Sequence, residues 1–192
     1  MLRRITTADV QAAPDGFVQA GLVCASSSSQ APSRRKRFGK RQRALIKTVI
    51  EEFFPCFVPG ATVVYIGDAE DKFLHLDVDY LQRLDVVIAA PAKMPDVVVH
   101  DTKRNWLLLI EAVTSAGPVD RKRRRELKDL FAGCKAGLVF VTAFSTREIM
   151  RSFLTQISWE TEVWVAEDPE HLIHFNGERF LGPYPDVMPK VD

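Results

Sequence analysis

The sequence predicts an α/β domain in which helices flank a mixed β-sheet. Apolar stripes with helical spacing alternate with short runs of β-branched and aliphatic residues, as in layered α/β proteins. Two strand-like runs within residues 94–117 are separated by four polar residues, which predicts an antiparallel hairpin. The strand–helix–strand passage from Trp106 to Thr142 predicts a parallel crossover, so the sheet should contain both strand orientations.

The first half of the domain is predicted to begin with a helix and a strand. Residues 40–54 carry apolar side chains at helical spacing, and Pro55 is expected to end this helix. Residues 61–66 form a short β-branched run, which predicts a buried strand that ends at a turn. Residues 80–87 fit either a helix or a strand.

Beyond the hairpin the pattern predicts five more elements. Residues 120–131 have the periodicity of an amphipathic helix, and residues 137–142 form an apolar run typical of a buried strand. A second amphipathic helix is predicted at residues 145–155. Strands are predicted at residues 162–166 and 171–175, which completes the α/β alternation.

The 192 residues have the composition of a globular protein, with 46 % hydrophobic and 27 % charged residues. Residues 1–32 have a mixed composition that ends in a serine run, and we expect a mostly disordered extension there. The folded domain is therefore predicted to span residues 33–192. The formal net charge is only +1, so the chain as a whole is not a polycation.

The three cysteines are far apart and show no Cys-x-x-Cys spacing. An odd number without a regular framework argues against structural zinc and favours the reducing cytoplasm. No apolar run reaches the roughly 18 residues of a membrane span, so no membrane association is predicted.

Two carboxylates flank the central hairpin. A turn symmetric about Lys103 and Arg104 pairs Asp96 with Glu111 across the two strands. Directly opposed residues have Cβ atoms about 4.5–5.5 Å apart, so these carboxylates repel each other unless a positive group lies between them. A hard divalent cation with oxygen ligands, Mg²⁺ above all, would satisfy both. In the alternative interpretation each carboxylate caps a strand end and meets a backbone donor or an arginine.

The same residues resemble a nuclease motif. Pro95-Asp96, 14 intervening residues and Glu111-Ala112-Val113 are similar to the motif Pro-Asp…(Asp/Glu)-x-Lys. The wider text, from about residue 43 to residue 183, resembles the BsuBI/PstI family of type II restriction endonucleases. The stretches that carry this resemblance are 95–98, 109–115, 117–118, 159–164 and 171–177, together with Gly67, Asp68 and Lys72.

The resemblance implies a restriction-endonuclease-like core and a Mg²⁺-dependent enzyme that cuts double-stranded DNA at a short palindrome, such as CTGCAG. It implies that Asp96 and Glu111 are catalytic residues and metal ligands. It also implies a homodimer, because a palindrome has two-fold symmetry, and a cognate DNA methyltransferase as genetic partner. Members of the family usually carry an N-terminal helical domain, so the chain is expected to correspond to the C-terminal catalytic part.

The sequence departs from the nuclease motif at one position. The motif places a lysine two residues after the glutamate, where this chain has Val113. We favour Lys93 as the replacement, because it lies three residues before Asp96. The candidates to replace the lysine are Lys93, Lys72, Lys122 and the arginines of residues 121–125.

Glu52 is a candidate third metal ligand. Nucleases of the resembled fold often bring a helical glutamate near the metal. Glu52 borders the apolar stripe of the predicted helix, whereas Glu51 points away from it. The alternative is that Glu52 is an ordinary surface residue.

Two basic runs are candidate DNA contacts, because Lys and Arg neutralise phosphates. The first run contains Arg34, Arg35, Lys36, Arg37, Lys40, Arg41 and Arg43. The second run contains Arg121, Lys122, Arg123, Arg124 and Arg125. A helix N-terminus disfavours cations, so the second run calls for an external anion such as phosphate. The alternatives are a solvated charged face and pairing with carboxylates such as Glu126.

Structural or substrate-contact roles are favoured over zinc binding for two histidines, and structural roles for two tryptophans. His171 and His174 would fall on opposite faces of a strand, which disfavours a shared metal. Trp159 and Trp164 are predicted to lie in the core.

The leading interpretation is a Mg²⁺-dependent endodeoxyribonuclease. The alternative is a DNA-binding remnant that has lost catalysis, which Val113 supports. A nucleotide-binding or sugar enzyme is less favoured, because Gly67-Asp68 is not followed by the glycines of a phosphate-binding loop.

Overall fold

The computed structural model of the chain describes residues 34–67, 74–88, 93–114 and 117–175, with residues 34–38 described by their backbone alone. The predicted extension of residues 1–32 and the candidate lysine Lys72 lie outside the described residues.

Within these described ranges, seven strands form one mixed sheet in the order β2-β1-β3-β4-β5-β6-β7. The strands are β1 (Thr62–Ile66), β2 (His75–Leu76), β3 (Val97–Asp101), β4 (Trp106–Val113), β5 (Gly137–Phe144), β6 (Thr161–Val165) and β7 (Leu172–Phe175). Strand β5 is parallel to β4 and to β6, whereas all other neighbours are antiparallel. The predicted mixed sheet is confirmed.

Helices lie on both faces of this sheet. They are α1 (Arg34–Thr48), α2 (Phe54–Phe57), α3 (Val78–Arg83), α4 (Arg121–Leu130) and α5 (Arg147–Phe153). A π-helical turn, Val49–Phe53, joins α1 to α2, and a 3₁₀ turn, Leu154–Gln156, follows α5. In the described ranges, no helix is both long and apolar enough to cross a lipid bilayer.

The first helical segment is longer than predicted, and the expectation that Pro55 ends it is wrong. Pro55 lies in the first turn of α2, directly after the π-helical turn. A helix tolerates proline in its first turn, because the N–H that proline lacks has no partner there. The ambiguous residues 80–87 begin within α3 and leave the helix after Arg83.

The hairpin of β3 and β4 has the predicted register. Val97 pairs with Ile110 at one end of the ladder, and Asp101 pairs with Trp106 at the other. The turn between them is the predicted four-residue stretch, 102–105. The register therefore follows from the length of this turn.

Asp101 stabilises that turn. Its carboxylate is buried and accepts hydrogen bonds from the backbone N–H of Lys103 at 3.0 Å and of Arg104 at 3.4 Å. The Arg104 guanidinium adds an ion pair at 2.9 Å. Asn105 closes the turn at a positive φ of 55°, a conformation that asparagine tolerates better than most residues.

The sheet is buried on both faces. Helix α1, the π-helical turn and α2 cover one face, against Leu108 and Ile110 of β4. Helices α3 and α4 cover the other face, against Leu107 and Leu109. This alternation explains why β4 reads as a continuous apolar run rather than as alternating polar and apolar residues.

The prediction that both tryptophans lie in the core is confirmed for Trp164 and wrong for Trp159. Trp164 is fully buried, meets the Phe53 ring edge-on at 5.7 Å, and donates its indole N–H to the Pro169 carbonyl. Trp159 is 70 % exposed and contacts Phe175 at a ring distance of 6.2 Å. It precedes β6, so strand alternation does not direct it inwards.

These two tryptophans form a matched pair of stability tests. Trp164→Ala should lower the free energy of unfolding by about 3–5 kcal/mol, because it leaves a large cavity in the core. Trp159→Ala should change it by less than about 1 kcal/mol, because little apolar surface is buried there. Urea titration followed by circular dichroism measures both values. Equal losses in the two variants would contradict the placement of these side chains.

Candidate active site

Asp96 and Glu111 lie at the same end of the two neighbouring strands β3 and β4. Asp96 directly precedes β3, and Glu111 lies near the end of β4. Because the ladder ends with Val97 opposite Ile110, its next step places Asp96 opposite Glu111. The N–H of Gly67 donates to the Asp96 carbonyl at 2.9 Å, which holds the Asp96 backbone beside β1. The register that predicted this pair is therefore confirmed.

Asp96 connects a helix to a strand through its two carboxylate oxygens. Its Oδ1 accepts a hydrogen bond from Gln42 Nε2 of α1 at 2.8 Å. Its Oδ2 accepts the backbone N–H of Ala112 in β4, also at 2.8 Å. Hydrogen bonds to an ionised carboxylate are stronger than those between neutral groups. Both bonds therefore orient Asp96 towards the end of β4, where Glu111 lies.

Glu111 is paired with Arg123 of α4. Arg123 Nε donates to Glu111 Oε1 at 2.8 Å, and Arg123 Nη2 lies 2.6 Å from the same oxygen. The side chains are 22 % (Arg123) and 15 % (Glu111) exposed, so water screens this pair less than a surface ion pair. Arg123 Nη2 also donates to the Met94 carbonyl at 3.1 Å. The guanidinium thus bridges β4 and the segment that leads into Asp96.

The start of helix α4 sets the position of Arg123. Asp120 caps the helix, and its carboxylate accepts the backbone N–H of Arg123 at 2.6 Å. The preceding Val119 donates its N–H to Thr142 Oγ1 at 3.1 Å. Thr142 pairs with Glu111 in the β4–β5 ladder. The first turn of α4 is therefore anchored beside Glu111.

The motif's lysine position is filled by an apolar side chain. Val113 is 1 % exposed and packs with Phe144 and Ile157. The favoured substitute, Lys93, is exposed. Lys122 is also directed outwards, 3.9 Å from Glu126. The preference for Lys93 stays a prediction, and the cation that the structure places on Glu111 is Arg123.

Glu52 does not join the carboxylate pair. It is exposed on the π-helical turn, ten residues beyond Gln42. At about 1.5 Å of rise per residue, that separation is about 15 Å along the helix.

The α1 residue that reaches Asp96 is Gln42, which sequence reasoning missed. A polar residue among basic ones in the third turn of a helix carries no local signal of such a contact.

The two basic runs are differently placed. Arg34, Arg35, Lys36 and Arg37 begin helix α1, and their side chains lie outside what the structure describes. In the second run Arg121, Lys122 and Arg125 are exposed and line an open cleft of about 720 Å³ together with Asp120, Glu126, Asp129 and Gln156. Arg123 is directed inwards, and Arg124 pairs with Glu160 and lies 5.2 Å from the Phe140 ring centroid. The exposed members fit the predicted contacts along the DNA backbone better than Arg124 does.

The two histidines do not share a site. The His171 Nδ1 lies 2.9 Å from Asp168, and His174 hydrogen-bonds to Glu162. Among the residues that the structure describes, no group of three or more His, Cys, Asp or Glu side chains is arranged to hold a metal.

The donor set at Asp96 and Glu111 fits Mg²⁺ better than a transition metal. Mg²⁺ is usually held by one or two carboxylates, with the remaining positions filled by water and by substrate phosphates. Two carboxylates on adjacent strands provide that set. The guanidinium of Arg123 lies on Glu111 Oε1 and would compete with a cation for this oxygen.

The fold is that of a restriction endonuclease. The SdaI restriction endonuclease matches it with a TM-score of 0.70 and 51 % sequence identity, over 75 % of this chain and 46 % of that one. The predicted restriction-endonuclease-like fold is thereby confirmed.

The chain belongs to the BsuBI/PstI restriction endonuclease domain family, which matches residues 32–178. It is 58 % identical over 140 residues to the type II restriction enzyme BsuBI of Bacillus subtilis, over 73 % of this chain and 44 % of that protein. It is 30 % identical over 154 residues to the type II restriction enzyme AplI of Arthrospira platensis, over 73 % of this chain and 45 % of that protein. The chain thus spans about half the length of these relatives.

The Gln42–Asp96 hydrogen bond can be tested by its effect on stability. Gln42→Ala should lower the free energy of unfolding by about 1–3 kcal/mol, because a half-buried carboxylate loses a hydrogen bond. Gln82→Ala, at an exposed position of α3, is the matched control and should stay close to the wild type. Urea unfolding of both variants gives the comparison. Identical unfolding midpoints would show that this bond contributes nothing to the fold.

Proposed function

We propose that this chain is the catalytic domain of a type II restriction endonuclease that hydrolyses double-stranded DNA at a short palindrome with Mg²⁺. The observation that carries the proposal is the register that sets Asp96 opposite Glu111 at the sheet edge, in a chain of this family. A six-base sequence such as CTGCAG is the proposed target, by likeness to the family rather than from any contact.

In this proposal Asp96 and Glu111 would hold the metal ion through their carboxylates. Gln42 and the Ala112 N–H keep the Asp96 carboxylate oriented, so that it need not reorganise when the cation binds. A bound Mg²⁺ supplies a Lewis acid that stabilises the charge developing on the phosphate. Arg121 and Lys122, which precede Arg123 in the first turn of α4, would position the DNA backbone through its phosphates.

Homodimerisation and a restriction–modification context complete the proposal. Cutting both strands of a palindrome at equivalent bonds needs two equivalent sites, which a symmetric dimer supplies. A cognate DNA methyltransferase would protect the same sequence in the cell.

A second candidate function is a DNA-binding remnant that has lost catalysis. The observation in its favour is Val113, a buried apolar residue where the motif has lysine. Detectable Mg²⁺-dependent cutting by the wild-type chain separates the two candidates, because a remnant binds DNA without cutting it.

Loss of either carboxylate should abolish cleavage. Asp96→Ala and Glu111→Ala each remove a proposed metal ligand, so plasmid cutting should fall by at least about 1,000-fold if the metal stabilises the transition state. Glu148→Ala is the matched control, because its carboxylate is 76 % exposed and pairs with Arg151 three residues along the same helix. Gel analysis of plasmid DNA with and without Mg²⁺ gives the rates.

The same proteins separate a lost ligand from a lost fold. Mg²⁺ should raise the melting temperature of the wild type, since a ligand that binds only the folded state stabilises it. The Asp96→Ala, Glu111→Ala double variant should lose that response and still melt cooperatively. A Glu111→Ala protein that cuts at the wild-type rate would refute the proposed site.

The exposed basic residues of α4 should contribute affinity without sequence choice. Replacing Arg121 and Lys122 by glutamine removes two proposed phosphate contacts, and each lost contact should flatten the plot of log K against log salt by about 0.9. Fluorescence anisotropy with two unrelated duplexes should show equal weakening on both.

Arg151→Gln serves as the control for this measurement. Arg151 is 76 % exposed on α5 and pairs with Glu148 at 2.9 Å. Its removal should leave the salt dependence as in the wild type. A change of preferred sequence in the Arg121, Lys122 variant, with an unaltered salt slope, would mean that these residues contact bases.

A further inference from the structure

We propose that Arg123 is a catalytic residue. Its Nη1 donates hydrogen bonds to the scissile phosphate, and its guanidinium supplies the positive charge that the motif assigns to a lysine at position 113. This inference rests on the proposed nuclease function. It goes beyond that function by naming the cation that completes the site and the atom through which it acts.

The location of the guanidinium is the first argument. It contacts Glu111 Oε1 through Nε and Nη2, and the Met94 carbonyl through Nη2. Met94 lies two residues before Asp96, so the guanidinium spans the gap between the two strands that carry the carboxylates. Any phosphate that shares a metal ion with Asp96 and Glu111 must approach this same gap.

The geometry of strand β4 is the second argument. Side chains two residues apart on a strand point to the same face, so a lysine at position 113 would share the face of Glu111. That position now holds Val113, which packs into an apolar cluster with Phe144 and Ile157. Arg123 reaches this face from helix α4, whose first turn is anchored there. The cation that the motif places on β4 is thus supplied by Arg123 of α4, the next element in the chain.

The unused donors of Arg123 are the third argument. A guanidinium has five N–H donors, and those on Nε and Nη2 are directed to Glu111 and Met94. Among the described residues, Nη1 has only Glu126 nearby, at 3.6 Å, which is an ion pair beyond hydrogen-bond distance. Nη1 therefore retains donors for an incoming phosphate oxygen, while Nε and Nη2 keep the guanidinium in place.

The chemistry of the guanidinium limits the catalytic role that Arg123 can have. Its guanidinium stays protonated in proteins, so Arg123 cannot accept a proton from the attacking water. Hydrolysis adds one water across a phosphodiester P–O bond: the water oxygen bonds to phosphorus, the P–O bond to the leaving oxygen breaks, and that oxygen gains a proton. Arg123 exchanges no proton in this step. It stabilises charge on the phosphate only.

This arrangement predicts two opposite effects of removing the guanidinium. Without substrate, Arg123 competes with a divalent cation for Glu111 Oε1, so its loss should tighten Mg²⁺ binding. With substrate, its loss removes a charge-assisted donor, so cleavage should slow. A purely structural residue would instead weaken metal binding and cleavage together with stability.

The experiment compares Arg123→Met with the wild type and with Arg151→Met, a control on a different helix. Removal of one preorganised donor to a developing charge should slow single-turnover cutting of CTGCAG-containing plasmid at saturating Mg²⁺ by about 100-fold or more. The Mg²⁺ concentration at half of the maximal melting-temperature shift should fall in Arg123→Met and stay unchanged in Arg151→Met.

Arg123→Lys keeps the experiment decisive if Arg123→Met does not fold. Lysine retains the charge beside Glu111 but has no group at the Nη1 position, so this variant should melt near the wild type and cut at least about ten-fold more slowly. Cutting at the wild-type rate by either folded variant would overturn the role of Nη1. So would slower cutting accompanied by weaker Mg²⁺ binding. A wild-type chain that cuts no DNA would refute the proposed function itself. The Mg²⁺-dependent shift in melting temperature distinguishes that outcome from an error about Arg123 alone.

Discussion

The antiparallel register of β3 and β4 is the constraint on which the candidate site depends. The buried Asp101 closes a four-residue turn, and the ladder then runs from Asp101 opposite Trp106 to Val97 opposite Ile110. A slip of one residue would turn the side chains of one strand to the other face of the sheet. Because both faces are covered by helices, such a slip would also disrupt two apolar cores. The packing of the domain and the position of the carboxylates are therefore set by the same ladder.

Of the two interpretations of the carboxylates, the structure shows groups satisfied by protein donors, and their role as metal ligands stays a prediction. In the structure Asp96 is held by Gln42 and by a backbone N–H, and Glu111 by Arg123. Each of these partners offsets part of the repulsion between two opposed carboxylates. They also preserve the orientation that a cation would need, so binding requires an exchange of partners on Glu111 rather than a rearrangement of the sheet.

Sequence reasoning succeeded where neighbours in the chain decide the outcome. The hairpin, its register, helix α4 and the buried Trp164 follow from periodicity and turn length over fewer than about twenty residues. It was wrong for Trp159, which precedes a strand rather than belonging to one, and for Pro55, which a π-helical turn places in the first turn of a new helix. Neither outcome has a signal within its own few residues.

The sequence by itself determined the mixed α/β fold, the family resemblance and the cross-strand pairing of Asp96 with Glu111. Tertiary structure alone decided which other residues complete that pair. Gln42 lies 54 residues from Asp96 in the chain, and Arg123 lies 12 residues from Glu111 on a different element. Their side chains reach the carboxylates only because α1 and α4 dock on opposite faces of the sheet, and docking depends on the shape of the whole core. For the same reason Lys93, although close in sequence, is directed to solvent, whereas Arg123 faces Glu111.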